Sequence, residues 1–330
     1  MTKSTLSFLT SVSVLAGISA IVSTAPAFAV GITGASIGGS APSDYLVFDA
    51  NATNTFLVPN TPANVQKVLD GDAGSPTGNV ELAASSEQPG FDFTKNTSLS
   101  GTIGGQVIQL SSLTLSDWEA VVTPGGFTFG QKWFLQALLA NSITPSTLGL
   151  TPLAYTAFIG LAYQGFVATG GFQRFSDPNI SYVNQDSGLV KIGLAGYFNA
   201  KDVIVTPDNI NYIIQQLISQ GFTKPAATLF VNSLIAKLPP TIQASEVVKV
   251  TYAGRTDFLY SFQATKSGLI SNDGTRSHTG NYEVTLRAKP IPVPGSATGA
   301  IAAGVLGAGY LMRHKLKKHR QFSLSNSVQA

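Results

Sequence analysis

The sequence predicts an α+β fold: antiparallel strands at both ends of the main body of the chain, and a helical middle that includes a helical hairpin. Three observations carry this prediction. The last third of the body alternates apolar and polar residues with the period of two that a half-buried strand needs. Residues 206–237 repeat their apolar positions with the helical period instead. Strand-like and helix-like runs are also segregated along the chain, whereas a parallel α/β fold would alternate them.

In chain order, Asp44 to Asp49 and Thr55 to Val58 read as short strands, and Pro62 to Leu69 as a short helix opened by Thr61 and Pro62. Residues 79–115 alternate weakly and are rich in Ser, Gly and Thr, which predicts strands and turns. Ser116-Asp117-Trp118-Glu119 has the spacing of a capping box and marks the start of the helical middle. Gln131 to Ala140 reads as a helix, and so does Pro152 to Val167. The latter is apolar nearly all round, which predicts burial at the centre of the domain. Thr206-Pro207-Asp208 supplies a cap, a preset φ angle and a helpful N-terminal charge. Ile210, Ile213, Ile214, Leu217 and Ile218 then line one face until Gly221. A second helix, Pro225 to Lys237, ends at Pro239-Pro240 and completes a hairpin. In the final third, Val248/Val250/Tyr252, Phe258/Tyr260/Phe262 and Tyr282/Val284/Leu286 alternate with polar or outward positions. With turns at Ala253-Gly254 and Asn272-Asp273-Gly274, they predict an antiparallel meander.

The chain has 330 residues, with 20 basic and 17 acidic side chains. Six of the basic ones lie in the terminal segments, so the body holds fourteen against seventeen and is mildly acidic. That is no electrostatic footprint for nucleic acid, which needs a clustered basic face. The absence of cysteine excludes thiol nucleophiles, disulfides and Cys-containing zinc sites, so the body must rely on its core alone.

The two ends carry the targeting information. Lys3, an apolar run from Leu6 to Ile21 and Ala27-Phe28-Ala29 form a signal peptide over residues 1–29. Its small residues Ala27 and Ala29 suit a signal peptidase. At the other end, Val293-Pro294-Gly295-Ser296 precedes an apolar stretch, Ala297 to Met312, and a basic cluster of Arg313, Lys315, Lys317, Lys318 and Arg320. As a helix this stretch spans about 24 Å, against ~30 Å of hydrocarbon. The basic cluster keeps its own side cytoplasmic and leaves the body across the membrane. Gly299, Gly304, Gly307 and Gly309 present small faces to an approaching helix. The expected organisation is a signal peptide (1–29), one α+β body (30–292), a sorting signal (293–320) and a polar tail (321–330).

This C-terminal arrangement resembles the PEP-CTERM sorting signal of Gram-negative and cyanobacterial exported proteins. It departs from that family in two ways. Gly295 and Ser296 stand where Glu-Pro is usual, and the tail extends past the basic cluster. The segments Gly171 to Ser181 and Gly280 to Arg287 more loosely resemble a cyanobacterial group of such proteins. The resemblance implies processing by an exosortase-like enzyme and placement at the cell surface or outside it. A single-pass anchor through residues 297–312, with the body in the periplasm, is the alternative.

Chemistry-bearing motifs in the body are sparse. His278 lies in the polar, glycine-bounded stretch 274–280 and reads as a solvated turn residue. Gly34-Ala35-Ser36-Ile37-Gly38 matches G-x-S-x-G, but that motif needs a strand before the Ser and a helix after it. No Ser precedes a Lys by three positions, which argues against S-x-x-K acyltransferases. The carboxylate pairs Asp117/Glu119 and Asp70/Asp72 read as a helix start and a turn. The latter resembles a calcium loop only faintly, without its bidentate Glu. No catalytic, cofactor or metal residue is therefore assigned. The expected function is a non-enzymatic structural or adhesive role at the cell surface or in the matrix, with exopolysaccharide as a candidate partner. The alternative is an exported carbohydrate-active hydrolase using paired carboxylates.

Overall fold

A computed structural model describes residues 30–122, 125–272 and 276–288. Ala27 and Ala29, the motif Val293 to Ser296, the stretch 297–312 and the basic cluster lie outside the described residues, as do Asp273 and Gly274 of the expected turn.

The chain begins with β1 (Val30–Gly31), β2 (Thr33–Gly39), β3 (Tyr45–Ala50), β4 (Asn54–Val58), helix α1 (Pro62–Val68) and β5 (Gly78–Leu82). A hairpin follows, β6 (Thr97–Ile103) and β7 (Gln106–Ser111). Helices come next: α2 (Leu115–Glu119), α3 (Phe129–Ala140), α4 (Pro145–Leu148), α5 (Pro152–Ala168) and α6 (Gly171–Arg174). A second hairpin, β8 (Asn179–Asp186) and β9 (Leu189–Gly196), leads to α7 (Lys201–Ile204), α8 (Pro207–Ser219) and α9 (Lys224–Ile235). The described chain ends with β10 (Val248–Tyr252), β11 (Arg255–Leu259), β12 (Thr265–Lys266), β13 (Ile270–Ser271) and β14 (Gly280–Arg287).

The fold is α+β. One sheet runs β12-β14-β9-β8-β5-β3-β4-β13, with β1 added on β8, and the other runs β11-β10-β7-β6-β2. The pairings are antiparallel except for β13 on β4. Alternate side chains of both sheets meet in one aliphatic core, including Val47, Val80, Leu99, Leu110, Ile192, Val248 and Val284. The helices form a separate, aromatic core around Trp118, Trp133, Phe166 and Phe172.

Local signals account for the helices. Thr206 Oγ1 accepts from Asn209 N at 3.2 Å, and Ile213, Ile214 and Leu217 are buried against α9. The hairpin of α8 and α9 is as predicted. Helix α2, however, is capped from Thr114, whose N and Oγ1 each donate to Asp117 Oδ2 at 2.9 Å. Ser116 is thus inside the helix, because the Thr114/Asp117 pair closes the same three-residue spacing one turn-start earlier. Helix α5 is not central: Leu153 is 83% exposed and only Ile159, Gly165 and Phe166 are buried. Its outer face exposes Leu153 and Val167, but also Ala154, Ala157, Gly160 and Ala168, whose small apolar area makes exposure cheap.

Two further departures concern strands. The hairpin of β8 and β9 lies inside the predicted helical middle, at the centre of the large sheet. Its turn is Ser187-Gly188, both with positive φ (51° and 78°), the geometry of a two-residue hairpin. The terminal strands are also not one meander. β10 and β11 pair around Ala253-Gly254, but β14 crosses to the large sheet and pairs along β9 from Gly280↔Gly196 to Arg287↔Leu189. Alternation fixes which side chains are buried and leaves the partner strand open. Gly193 of β9 makes room for the ring of Tyr182, since a Cβ there would lie 2.1 Å from the ring.

Candidate functional site

The site is built around the short passage from α6 into β8. Trp118 Nε1 donates to Ser176 Oγ at 2.6 Å, and Ser176 Oγ donates to the Phe172 carbonyl at 2.5 Å. Leu113 N donates to Ser176 O at 3.0 Å, and Val247 N donates to Phe175 O at 2.9 Å. These bonds tie the passage to the start of α2 on one side and to the approach of β10 on the other. The next residue, Asp177, therefore has little freedom.

Asp177 is 6% exposed. Its Oδ2 accepts from Ser86 Oγ at 2.5 Å, while its Oδ1 has no hydrogen-bond partner. Ser86 is placed by the turn that follows β5, where Ser85 N and Oγ donate to the Asp44 carboxylate at 2.9 and 2.8 Å. Two residues beyond Asp177, Asn179 N donates to Glu246 Oε2 at 2.8 Å and Nδ2 reaches Oε1 at 3.2 Å, leaving Asn179 Oδ1 unpartnered. Glu81 lies directly across from Asn179 in the register of β5 and β8.

These groups line a cavity of about 600 Å³. Phe48, Phe56, Phe175 and Tyr197 add aromatic wall, and His278 closes one side. His278 is not a solvated turn residue. It is 3% exposed, its Nδ1 is 2.6 Å from Thr55 Oγ1, and its ring meets the Phe48 ring edge-on at 4.8 Å. Its polar neighbours in sequence concealed this, because the pairing of β13 with β4 folds the 276–280 stretch back over the large sheet. At the rim, Arg174 Nε donates to Glu87 Oε1 at 2.7 Å and Nη1 donates to Val203 O at 2.9 Å.

The electrostatics follow from burial. Desolvation holds the Asp177 carboxyl well above the usual carboxylate range, and the negative field of Glu81 adds to this against the Ser86 hydrogen bond. Desolvation likewise raises Glu246, reinforced by Asp177 and opposed by the Asn179 amide. Both shifts favour the protonated carboxyl. Asp177 Oδ1 and Asn179 Oδ1 are buried acceptors without partners in this wall, and a protonated carboxyl adds a donor. No cluster of three or more His, Asp or Glu side chains among the described residues is arranged to hold a metal ion.

The carboxylate pairs considered from sequence are elsewhere. Asp117 serves the α2 cap and accepts from Lys249 Nζ at 2.7 Å, and Glu119 is exposed. Asp72 Oδ1 accepts from Gly74 N and Ser75 N at 2.8 Å each, a solvated turn, while exposed Asp70 accepts from Gln66 Nε2. The G-x-S-x-G stretch forms edge strand β2, with no helix after Ser36. Glu81, Asp177 and Glu246 come from three distant parts of the chain, and no spacing links them. Among the described residues no helix is long and apolar enough to cross a membrane. No protein family, curated protein or solved structure matches this chain.

Proposed function

We propose that this is an exported surface or matrix protein whose body binds a hydroxyl-rich ligand, a saccharide segment, in the carboxylate-lined cavity. One observation carries the ligand reading: Asp177 keeps a buried, unpartnered Oδ1 at a cavity of about 600 Å³, beside the unpartnered Oδ1 of Asn179. Buried acceptors left without partners are costly, and a small rotation of either side chain toward the cavity would let a ligand hydroxyl satisfy it. The aromatic wall offers apolar faces for sugar C–H surfaces. Export rests on the signal peptide read over residues 1–29. Sorting by an exosortase-like enzyme rests on Val293 to Arg320, and an anchored periplasmic form is the other outcome of the same ends.

A second reading, glycoside hydrolysis, is favoured by the burial that raises the pKa of Asp177 and of Glu246, since such chemistry needs a carboxylic acid kept protonated near neutral pH. One experiment separates the two. The intact protein is titrated calorimetrically with neutral and acidic oligosaccharides while reducing ends are counted. The binding reading expects saturable heat, weakened at least about tenfold by Asp177→Asn, with no new reducing ends. Reducing ends that vanish in Asp177→Asn would establish the hydrolase. If no saccharide binds, both readings fail.

A further inference from the structure

The carboxylate cavity carries an unequal charge. Glu81, Glu87, Asp177 and Glu246 line it, against Arg174, His278 and no lysine among the described residues. Arg174 is engaged at the rim, where Glu87 matches its charge. The acids further in lack such a match. Among the described residues, no lysine or arginine forms an ion pair with Asp177 or Glu246.

The two interior glutamates are placed to meet a ligand directly. Glu81 stands opposite Asn179 across β5 and β8, and cross-strand neighbours share one face of a sheet. Glu246 accepts from N and Nδ2 of the same asparagine. Both glutamates therefore adjoin Asn179, and both are half-buried in the cavity wall, with surface left for contact. Carboxylates gathered in a partly desolvated wall repel one another and attract a cation brought between them. An acidic saccharide would meet the opposite field. A ligand ammonium would add charge-assisted hydrogen bonds, roughly twice as strong as neutral ones. The space of about 600 Å³ has room for a disaccharide, with Phe56 and Tyr197 beside it as ring faces. We propose that the saccharide taken by this cavity is an amino sugar whose ammonium is held between Glu81 and Glu246, an assignment that rests on the saccharide reading above.

The test is calorimetric titration of the intact protein near pH ~6, where an amine of this kind is protonated. Chitobiose carries free amines, and N,N′-diacetylchitobiose is the same disaccharide with neutral amides in their place. The simple diamine cadaverine supplies the charge without the hydroxyls. The proposal expects chitobiose to bind at least about tenfold tighter than either, the worth of one charge-assisted hydrogen bond. Glu246→Gln keeps the side-chain shape and an acceptor for Asn179, and should reduce that preference at least about fivefold. Glu81→Gln serves the same purpose should the first variant fail to fold. If the acetylated disaccharide binds as well as the amine, the amino-sugar assignment is overturned and the saccharide reading stands. If cadaverine binds as tightly as chitobiose, the assignment is overturned because the site reads charge alone. If neither disaccharide binds, both readings fall. A folded glutamine variant that keeps the parent's preference also overturns the assignment.

Discussion

The aromatic core and the wall of the carboxylate cavity share the same few residues of backbone, yet they treat buried polar groups in opposite ways. On the core side, Trp118 is fully buried, stacks on Phe172 at 4.4 Å between ring centres, meets Trp133 edge-on, and has its one donor satisfied by Ser176. One residue further, Asp177 is nearly as buried, carries a disfavoured charge, and leaves an oxygen without a partner. The first arrangement is what stability alone would select. The second spends stability, and such spending concentrates at functional sites. The difference implies that substitutions on the two sides should move stability in opposite directions, even though Ser176, bonded to Trp118, directly precedes Asp177.

The largest effect is expected at the core. Trp118→Ala removes ring contacts with Phe129, Trp133 and Phe172 and the anchor of Ser176, and should cost about 3–5 kcal/mol in denaturant unfolding. It should also loosen the cavity wall, since Ser176 fixes the approach to Asp177. A loss under about 1 kcal/mol would mean that the core repacks freely and that the contrast is unsound. Next is Gly193→Ala, where the added methyl would sit 2.1 Å from the fully buried Tyr182 ring. Overpacking of this kind should lower stability by about 1–3 kcal/mol and reduce the melting temperature. Tyr182→Ala made together with Gly193→Ala should show strong non-additivity, because the clash disappears with the ring.

The smallest and most diagnostic effect is at Asp177. Because burial raises Asp177 and Glu246, the folded state binds more protons than the unfolded chain once pH exceeds the ordinary carboxylate range, near pH ~4. Their contribution to stability is complete below that range and falls as pH rises toward the raised folded values. Thermal unfolding measured from pH 4 to 8 should therefore show a declining component that Asp177→Asn reduces. The variant should be more stable than the parent at pH 8, by about 0.5–2 kcal/mol, and near parity at pH 4. The half-exposed Asp186, held low chiefly by its hydrogen bond from Lys191, contributes the opposite slope, but below about pH 4 and so outside this window. A variant less stable than the parent at pH 8 would show Asp177 to be a structural acid and would remove the contrast.

The chain's own periodicity and capping residues specified the class, the caps at Thr61 and Thr206, the hairpin of α8 and α9, and the buried faces of β10 and β14. Each of these is set by neighbours within a turn or a strand, so local pattern suffices. Even the central hairpin was locally marked, by Ser187-Gly188 and the alternation of Val190, Ile192 and Leu194. Its first strand concealed it, because β8 buries Asn179, Ser181 and Asn184 along with its apolar residues and breaks its own alternation at a register shift. What tertiary structure alone decided is who stands beside whom. The crossing of β14 to β9, the burial of His278 and the meeting of Glu81, Asp177 and Glu246 all depend on long-range register. A period of two records which face of a strand is buried; it holds no information about the partner that buries it.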